Sequence, residues 1–383
     1  VERPASVVKE LVENSLDAGA RHIKVTLEQG GRRVIRVSDD GEGMRRDDLA
    51  LALQRHATSK IASLDDLERV ATMGFRGEAL PSIASVSRLS LTSRSAQSET
   101  GWRVSGDGSE RVMTPEPAAH PQGTTVEIRD LFFNTPARRK FLRAEATEFK
   151  HIEDVVRRIA LSRFGVDITL SHNQRVLWRL PAAESRAQRD QRIAKLCGQP
   201  FIEQSLFVEQ AAVDLRLSGW IAQPTFSRSQ ADLQYFFVNG RVVRDRLVSH
   251  AVRQAYRDVM YHDRHPAYVL YLEMDPARVD VNAHPQKLEV RFREPGLVHD
   301  FIFRTVERAL AETRPVEPAA AAIPAARFDA GGPRGEEWPR TSALDLYGTL
   351  GGVRDHAWPA IVPAVAQDAG GAEPVTPGVE HPL

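Results

Sequence analysis

Residues 4–44 read PASVVKELVENSLDAGARHIKVTLEQGGRRVIRVSDDGEGM, and this stretch decides the fold class. It begins with Pro4, continues with apolar residues at helical spacing and reaches Gly19, a pattern that predicts a helix of about four turns. Apolar and polar residues then alternate on both sides of Gly30-Gly31, which predicts two strands joined by a tight turn. A helix followed by a hairpin indicates an α+β protein.

The remaining chain continues the mixture of helices and strands without an internal repeat. Gly198-Gln199-Pro200 is the candidate breakpoint between two α+β units, so we expect domains at 1–200 and 201–313. Residues 314–383 contain 14 Ala, 10 Pro and 9 Gly and are expected to form a disordered linker. An apolar island in this tail, ALDLYGTL at 343–350, is either a docking motif or a chance cluster.

Composition excludes several classes of protein. The chain has 383 residues, 51 Lys+Arg and 51 Asp+Glu, and the first 313 residues carry +4 against −4 in the tail. We find no apolar run of about 18 residues and no secretory pattern, which predicts a soluble, cytoplasmic protein without membrane partners. A single cysteine, Cys197, excludes a disulfide framework and a cysteine-built zinc site. Because the chain starts at Val1 without Met, we expect a fragment lacking its true start.

Glu10 and Asn14 lie four residues apart on the first helix, so their side chains project from one face. The carboxylate can act as a base for water, and the amide oxygen can bind a hard cation such as Mg²⁺. The alternative is a solvated face on which Lys9 and Glu13 form an ordinary pair. For this helix taken alone, that alternative is favoured.

The motif DDGEGM at 39–44 ends the second predicted strand. Gly41 and Gly43 allow the backbone to approach a ligand closely. Asp39 can accept a hydrogen bond from an exocyclic amine such as that of adenine, and loss of that bond would leave a carboxylate unpaired. The alternative is a common turn rich in Asp and Gly.

A glycine-bracketed loop, GFRGEAL at 74–80, opens a predicted helix and follows RHATSK at 55–60. N–H groups at such a helix start attract phosphate oxygens. Neither G-x-x-x-x-G-K-[ST] nor G-x-G-x-x-G occurs, so a nucleotide would bind by another scheme. Residues 55–80 are expected to form a lid over a triphosphate.

Two further positions complete the candidate site. Thr124 opens a predicted strand, and its hydroxyl can contact a base directly or through water. Lys287 lies on a turn of the second unit and can reach a γ-phosphate, where it would offset charge that develops during hydrolysis. A solvated surface lysine is the alternative.

Six motifs in one order are similar to those of a known family. KELVENSLDAGA, DDGEGM, RHATSK, GFRGEAL, GTTVEIRDLFFNTPARRKFL and VDVNAHPQKLEVRF resemble the N-terminal ATPase region of the MutL family of DNA mismatch repair proteins. The resemblance covers residues 1 to about 313. The broader superfamily includes the DNA gyrase B subunit, heat-shock chaperone ATPases and sensor histidine kinases.

The resemblance implies a role for each matching side chain. Glu10 is the general base for the attacking water, Asn14 is the Mg²⁺ ligand and Asp39 reads adenine. Lys287 senses the γ-phosphate from the second domain. The implied cofactors are therefore ATP and Mg²⁺.

The same resemblance implies how the nucleotide is enclosed. Gly41 and Gly43 shape the pocket floor, and Thr124 lies near the base. The residues implied to bind phosphate as a lid are Thr58, Ser59, Lys60, Gly74, Phe75, Arg76, Gly77, Glu78, Ala79 and Leu80.

The implied fold is a two-layer α/β sandwich of the Bergerat type. A smaller α+β transducer domain with a left-handed βαβ crossover follows, which is an exception to the usual right-handed rule. Family members have further N-terminal residues that help close the nucleotide-bound dimer, and a C-terminal dimerisation domain. Without them, this chain is expected to bind ATP but to dimerise or hydrolyse it poorly. Relatives often carry Asn at the position of Asp40 and Val at that of Ala283, and neither difference removes a group that the mechanism uses.

Two regions are basic enough to contact DNA. Residues 138–163 contain eight Lys/Arg against four acids, and residues 241–264 contain six Arg against three acids. Contacts to phosphates there would be independent of DNA sequence and sensitive to salt, while a solvated face is the alternative. The candidates for the second region are Arg241, Arg244, Arg246 and Arg253.

The leading functional hypothesis is an ATPase whose nucleotide state closes a homodimer around DNA. It would couple mismatch recognition by MutS to a downstream nuclease and helicase, with slow turnover because closure limits the rate. The protein would be cytoplasmic and nucleoid-associated during repair. One alternative is a non-catalytic ATP-binding scaffold that signals only by its conformational state. Another, a topoisomerase ATPase subunit, would require cleavage domains that this sequence lacks.

Overall fold

The computed structural model describes residues 2–53, 79–106, 114–212, 214–261, 263–280 and 290–312. All of them belong to one compact unit, Val1–Val316. Its described helices are α1 Pro4–Asp17, α2 Arg46–Ala52, α3 Ala79–Ala84, α4 Pro136–Lys140, α5 Glu145–Ser162, α6 Arg186–Cys197, α7 Gln199–Glu203, α8 Arg246–Ala255 and α9 Pro295–Ala311. The expected linker at 314–383 lies outside the described residues.

An eight-stranded mixed sheet forms the first layer of the molecule. Its strands are β1 His22–Glu28, β2 Val34–Asp39, β3 Arg88–Arg94, β4 Gly101–Gly106, β5 Glu116–Ala118, β6 Gly123–Arg129, β7 Asp167–His172 and β8 Arg175–Leu180. Their order across the sheet is β5-β4-β3-β6-β2-β1-β7-β8. β1 pairs with β2 as the predicted antiparallel hairpin and with β7 in parallel.

Helices α1 and α5 form the layer against this sheet. In α1, Val8 and Leu11 are buried at helical spacing, and Gly19 follows the helix with a φ of 72°. A positive φ costs glycine little, which explains why the helix ends where the sequence predicts. Ile152 and Val156 of α5 belong to the same core cluster. Burying each such side chain contributes about 1.5–3 kcal/mol.

A second sheet of five strands follows in the chain. Its strands are β9 Ser205–Ala212, β10 Leu215–Ala222, β11 Gln234–Val238, β12 Arg241–Val243 and β13 Tyr268–Met274, in the order β12-β11-β13-β10-β9. A short two-stranded sheet pairs β14 Val279–Asp280 with β15 Arg291–Phe292. Helices α8 and α9 pack on the five-stranded sheet through a separate core that contains Val252 and Ile302. Strands β11 and β13 are parallel, and α8 lies between them in the chain.

These two sheets confirm the α+β fold class. The parallel pair β11 and β13 has the strand–helix–strand order of the expected crossover. The left-handedness of that crossover and the division at residues 198–200 stay predictions.

A buried arginine connects the backbone around the ends of α5, β7 and β8, and aromatic side chains join this region to the second sheet. Arg192 of α6 is 3% exposed, and its guanidinium donates to the carbonyls of Phe164, Val166, Pro181 and Arg163 at 2.8–3.3 Å. Burial lowers its pKa to about 10, so it remains charged near neutral pH.

Across the junction, Tyr271 of β13 donates its hydroxyl to the carbonyl of Leu161 in α5 at 2.8 Å. Trp220 of β10 donates from Nε1 to Asp190 of α6 at 2.8 Å. The second sheet is therefore attached to the helices of the first by directed hydrogen bonds as well as by packing.

Cys197, the last residue of α6, packs against the larger core. Burial raises the pKa of its thiol to about 12. Within the part of the chain that the structure describes, no helix is long and apolar enough to cross a membrane.

Candidate functional site

The carboxylate of Asp39, at the end of β2, joins three elements. Its Oδ2 accepts a hydrogen bond from Ser15 of α1 at 2.7 Å, and its Oδ1 accepts from the backbone N–H groups of Gly41 and Thr124 at 3.0 and 3.2 Å. The helix, the following loop and β6 thus meet at one acceptor. A carboxylate oxygen has room for more than one donor, so this group can also accept from a ligand amine.

The electrostatics of this carboxylate are set by its burial. Burial raises the pKa of Asp39, while the hydrogen bonds from Ser15, Gly41 and Thr124 act in the opposite direction. Nearby Asp40 raises it further. A perturbed acid held by fixed donors is typical of functional sites.

The glycines of the motif are required by close packing of the backbone. A Cβ on Gly41 would lie 2.7 Å from the carbonyl oxygen of Ala18, and one on Gly43 would lie 2.1 Å from that of Arg94. Gly43 also has a φ of 70°. These glycines allow the loop to lie directly against the end of α1 and the end of β3. The loop therefore forms one wall of the Asp39 site.

Gly123 gives the site its tightest approach. Its φ is 117°, and a Cβ there would lie 2.0 Å from the carbonyl oxygen of Asp39 itself. Next to it, the hydroxyls of Thr124 and Ser93 lie 2.9 Å apart, and Ser93 also donates to the carbonyl of Gly123 at 2.9 Å. Ser93 in turn accepts from the N–H of Met44 at 2.8 Å.

Sequence reasoning missed Ser15 and Ser93 as parts of the site. Both are buried polar residues in elements that are otherwise apolar on that side, at 4% and 0% exposure. A polar residue at a core position is the signal that identifies them, because such a residue needs a hydrogen-bond partner. Their hydrogen-bond partners are distant in sequence, so this pattern can indicate that a site exists but not which residues form it.

Glu10 and Asn14 lie on the same α1 helix as Ser15. Both are half-buried, in contrast to the fully buried Leu11 and Val12 beside them. The ordinary pair considered as an alternative is also present, since Lys9 and Glu13 lie 3.3 Å apart. Carboxylate and amide oxygens on one helix face provide the hard donors that Mg²⁺ prefers.

Asp40 is directed to a different part of the fold. It accepts from the backbone N–H groups of Arg21 and His22 at 2.8 and 2.7 Å, and its other oxygen lies 2.7 Å from Nδ1 of His22. The hydrogen bond to Asp40 raises the pKa of His22. Asp40 therefore anchors the start of β1.

Several predicted positions lie outside the described residues. These include Lys287, Thr58, Ser59, Lys60 and the stretch from Gly74 to Glu78. The last two residues of the expected lid, Ala79 and Leu80, begin α3, and Leu80 packs partly against the core.

The two basic regions meet between α5 and β12. Burial and nearby Arg244 lower the pKa of Arg158, and burial and nearby Arg241 lower that of Arg163. A Cβ on Gly240 would lie 2.7 Å from the guanidinium of Arg163. Arginines of 138–163 and of 241–264 therefore lie close together, with Asp154 paired to Arg158, and we call this the basic area.

The other two candidate arginines lie on α8. Arg246 and Arg253 are both exposed and stand seven residues apart, about two helical turns, which places them on one side of the helix.

Two family models match the chain in separate parts. Residues 2–120 match the histidine kinase-, DNA gyrase B-, and HSP90-like ATPase model, and residues 193–311 match the DNA mismatch repair protein, C-terminal domain model. The first match contains Glu10, Asn14 and the Asp39 motif but ends before Thr124, and the second contains the five-stranded sheet.

Curated relatives match with high identity. The chain is 60% identical over 320 residues to the DNA mismatch repair protein MutL of Cellvibrio japonicus, covering 84% of this chain and 51% of that protein. It is 59% identical over 343 residues to MutL of Azotobacter vinelandii, covering 88% and 54%. The chain thus spans about half the length of these relatives.

A solved structure agrees with these matches. The Aquifex aeolicus MutL ATPase domain complexed with ADP is similar with a TM-score of 0.54 and 27% identity, over 79% of this chain and 97% of that one. Because the two family models, the relatives and the solved structure agree, the chain belongs to the MutL family of DNA mismatch repair proteins.

Proposed function

We propose that this chain is the ATP-binding part of a DNA mismatch repair protein, in which ATP binding and slow hydrolysis close a dimer around DNA. The observation that supports it most directly is the Asp39 carboxylate, held by Ser15, Gly41 and Thr124 and free to accept from an adenine amine. The ADP complex of the Aquifex aeolicus domain supports the same class of ligand.

Within this proposal, Glu10 removes a proton from the water that attacks the terminal phosphate. Asn14 would hold Mg²⁺, which would neutralise phosphate charge. Lys287 would contact the γ-phosphate. Residues Thr58 to Lys60 and Gly74 to Leu80 would enclose the phosphates and exclude water.

Dimer closure would place DNA against the basic area between α5 and β12. Arg241, Arg244, Arg246 and Arg253 would contact its backbone phosphates without reading sequence. By membership of the family, mismatch recognition by MutS would precede this step, and a nuclease and a helicase would act after it. The protein would act in the cytoplasm, at the nucleoid.

The competing proposal is a scaffold that binds ATP without hydrolysing it, and Glu10→Ala separates the two. We expect this variant to bind ATP with unchanged affinity in calorimetry and to lose phosphate release by about 100-fold or more, since general-base catalysis contributes at least that much. Glu13→Gln, one turn along the same helix, is the matched control and should keep its turnover. Equal turnover in Glu10→Ala and the unaltered chain would refute hydrolysis through Glu10.

A further inference from the structure

The segment that follows the eight-stranded sheet is exposed and basic. Residues 136–143, PARRKFLR, contain four Lys/Arg and no acid, and we call them the basic segment. Helix α4 within it has no buried residue, and Phe141 is 84% exposed. Such a segment depends on a few anchoring contacts to keep its position on the surface.

One anchor is Glu148, a side chain that the proposed chemistry does not use. It is 0% exposed, and its Oε1 accepts the backbone N–H of Arg143, the last residue of the basic segment, at 2.9 Å. Glu148 lies in the first turn of α5, where the helix dipole favours a negative charge.

The same oxygen also binds the start of α1. Nη2 of Arg3 donates to Oε1 of Glu148 at 3.3 Å. Arg3 is the N-cap of α1, and its carbonyl accepts from the N–H groups of Ser6 and Val7. One buried carboxylate oxygen thus holds both the end of the basic segment and the first turn of the helix that carries Glu10.

These two contacts are energetically linked. Among the residues that the structure describes, Oε2 of Glu148 has no hydrogen-bond partner, so the polar contacts of this buried carboxyl group are those of Oε1. A buried carboxylate that loses a partner is strongly disfavoured. If Arg143 is displaced, the contact with Arg3 therefore becomes more important for stabilising the Glu148 carboxyl group, and the reverse also holds.

We infer that Glu148 is a positioning residue through which DNA phosphates bound at the basic segment act on α1 and raise the rate of ATP hydrolysis. The inference rests on the proposed function. Phosphates that contact Arg138, Arg139 or Lys140 pull on a backbone whose end is fixed at Glu148. Because α1 is a continuous helix, movement of its first turn is passed to Glu10.

Steady-state phosphate release from saturating ATP, with and without single-stranded DNA, tests this coupling. Glu148→Gln keeps an acceptor for the N–H of Arg143 but removes the ion pair with Arg3. We therefore expect it to keep basal turnover within about two-fold and its KM for ATP, and to lose most of the increase caused by DNA. Arg3→Gln changes a partly exposed partner and should give the same loss. The double variant should lose no more than either single variant, because the two residues act as one contact.

Glu153→Gln is the matched control, since Glu153 lies on the same helix but pairs with Arg157 near the surface. It should keep the full response to DNA. DNA affinity, measured by fluorescence anisotropy, should be unchanged in Glu148→Gln, which separates binding from coupling. An intact DNA response, additive losses in the double variant, or equal loss of basal and stimulated turnover would each overturn the inference.

A different failure would concern the proposed function. If DNA leaves the turnover of the unaltered chain unchanged while Glu10→Ala abolishes it, the ATPase stands, and both the DNA contact and this inference fail. The two results are therefore distinguishable in one set of assays.

Discussion

At the scale of single residues, the chemistry of the site depends on one acid. Asp39 satisfies three donors from α1, the 39–44 loop and β6, and burial raises its pKa. Its sequence neighbour Asp40 is exposed, and hydrogen bonds from His22 and Arg21 lower its pKa against the opposing effect of partial burial. Adjacent carboxylates thus receive different roles from their surroundings.

This difference predicts how nucleotide binding responds to pH. Protonated Asp39 loses an acceptor for the adenine amine, and because its pKa is raised, this loss begins at a higher pH than for an ordinary aspartate. We expect ATP affinity, measured by calorimetry at a series of pH values from neutral downwards, to fall as pH is lowered. Asp39→Asn keeps an acceptor for Gly41 and Thr124 but cannot be protonated in this way. The ATP affinity that it retains should therefore lack this dependence on pH. Identical pH profiles for the two chains would contradict the assignment.

The same residues show what sequence alone could reach. Asp39, Gly41 and Thr124 were each candidates in the sequence, and the structure places Gly41 and Thr124 within hydrogen-bonding distance of Asp39. Their role in binding a nucleotide stays a prediction. Ser15 was missed because its bond to Asp39 spans 24 residues of sequence. Glu148 was missed as well, because in sequence it is one of several acids at the start of an ordinary amphipathic helix. Local patterns identify residue types that suit a site, but only the fold shows which of them meet.

At the scale of elements, β2 and β6 are neighbouring antiparallel strands, and at Gly123 an added Cβ would lie 2.0 Å from the carbonyl oxygen of Asp39. This close approach allows the N–H of Thr124 to donate to the Asp39 carboxylate, so the geometry of the site depends on the absence of one Cβ. The sequence predicted the strand and its first threonine from alternation. The close approach was not predictable, because it arises from the register of two strands far apart in sequence.

Adding a methyl group at Gly123 should destabilise the fold. We expect Gly123→Ala to lower the free energy of unfolding by about 2–4 kcal/mol, since alanine is strained at this φ and its Cβ meets a carbonyl oxygen. Gly165→Ala is the matched control, because Gly165 has no heavy atom within 4 Å of an added Cβ, and its effect should stay within about 0.5 kcal/mol. Urea denaturation followed by circular dichroism measures both. An unchanged free energy of unfolding for Gly123→Ala would show that β2 and β6 can move apart to accommodate the methyl group.

At the scale of the whole molecule, the two sheets meet at a junction that includes Tyr271 and Trp220, and Arg192 lies beside it. The described residues of both sheets contribute to one large core cluster, in which Trp220 and Phe237 accompany residues of α1 and α5. The sequence predicted a division at 198–200 from a Gly-Gln-Pro step. A buried arginine that collects carbonyls cannot be distinguished in sequence from the exposed arginines beside it on α6.

Replacing Arg192 tests how much its hydrogen bonds to the four carbonyls stabilise the fold. Arg192→Met should lower the free energy of unfolding by about 3 kcal/mol, because four carbonyls lose a charged donor that methionine does not supply. Arg189→Met, on the same helix but exposed, should lose about 1 kcal/mol or less. Scanning calorimetry of both variants and the unaltered chain gives the comparison. Equal losses would indicate that the hydrogen bonds of Arg192 to the four carbonyls contribute little to stability.

The thiol of Cys197, at the end of α6, can report when the packing around the junction of the two sheets opens. Because burial raises its pKa to about 12, the thiol of Cys197 is almost entirely protonated at neutral pH, so alkylating reagents react with it slowly while the surrounding packing is intact. Since no other cysteine competes for reagent, the speed of alkylation measures how often this junction opens. The alkylation rate of Cys197 can therefore be used to compare the effects of nucleotide, of DNA and of the Arg192→Met substitution on this opening.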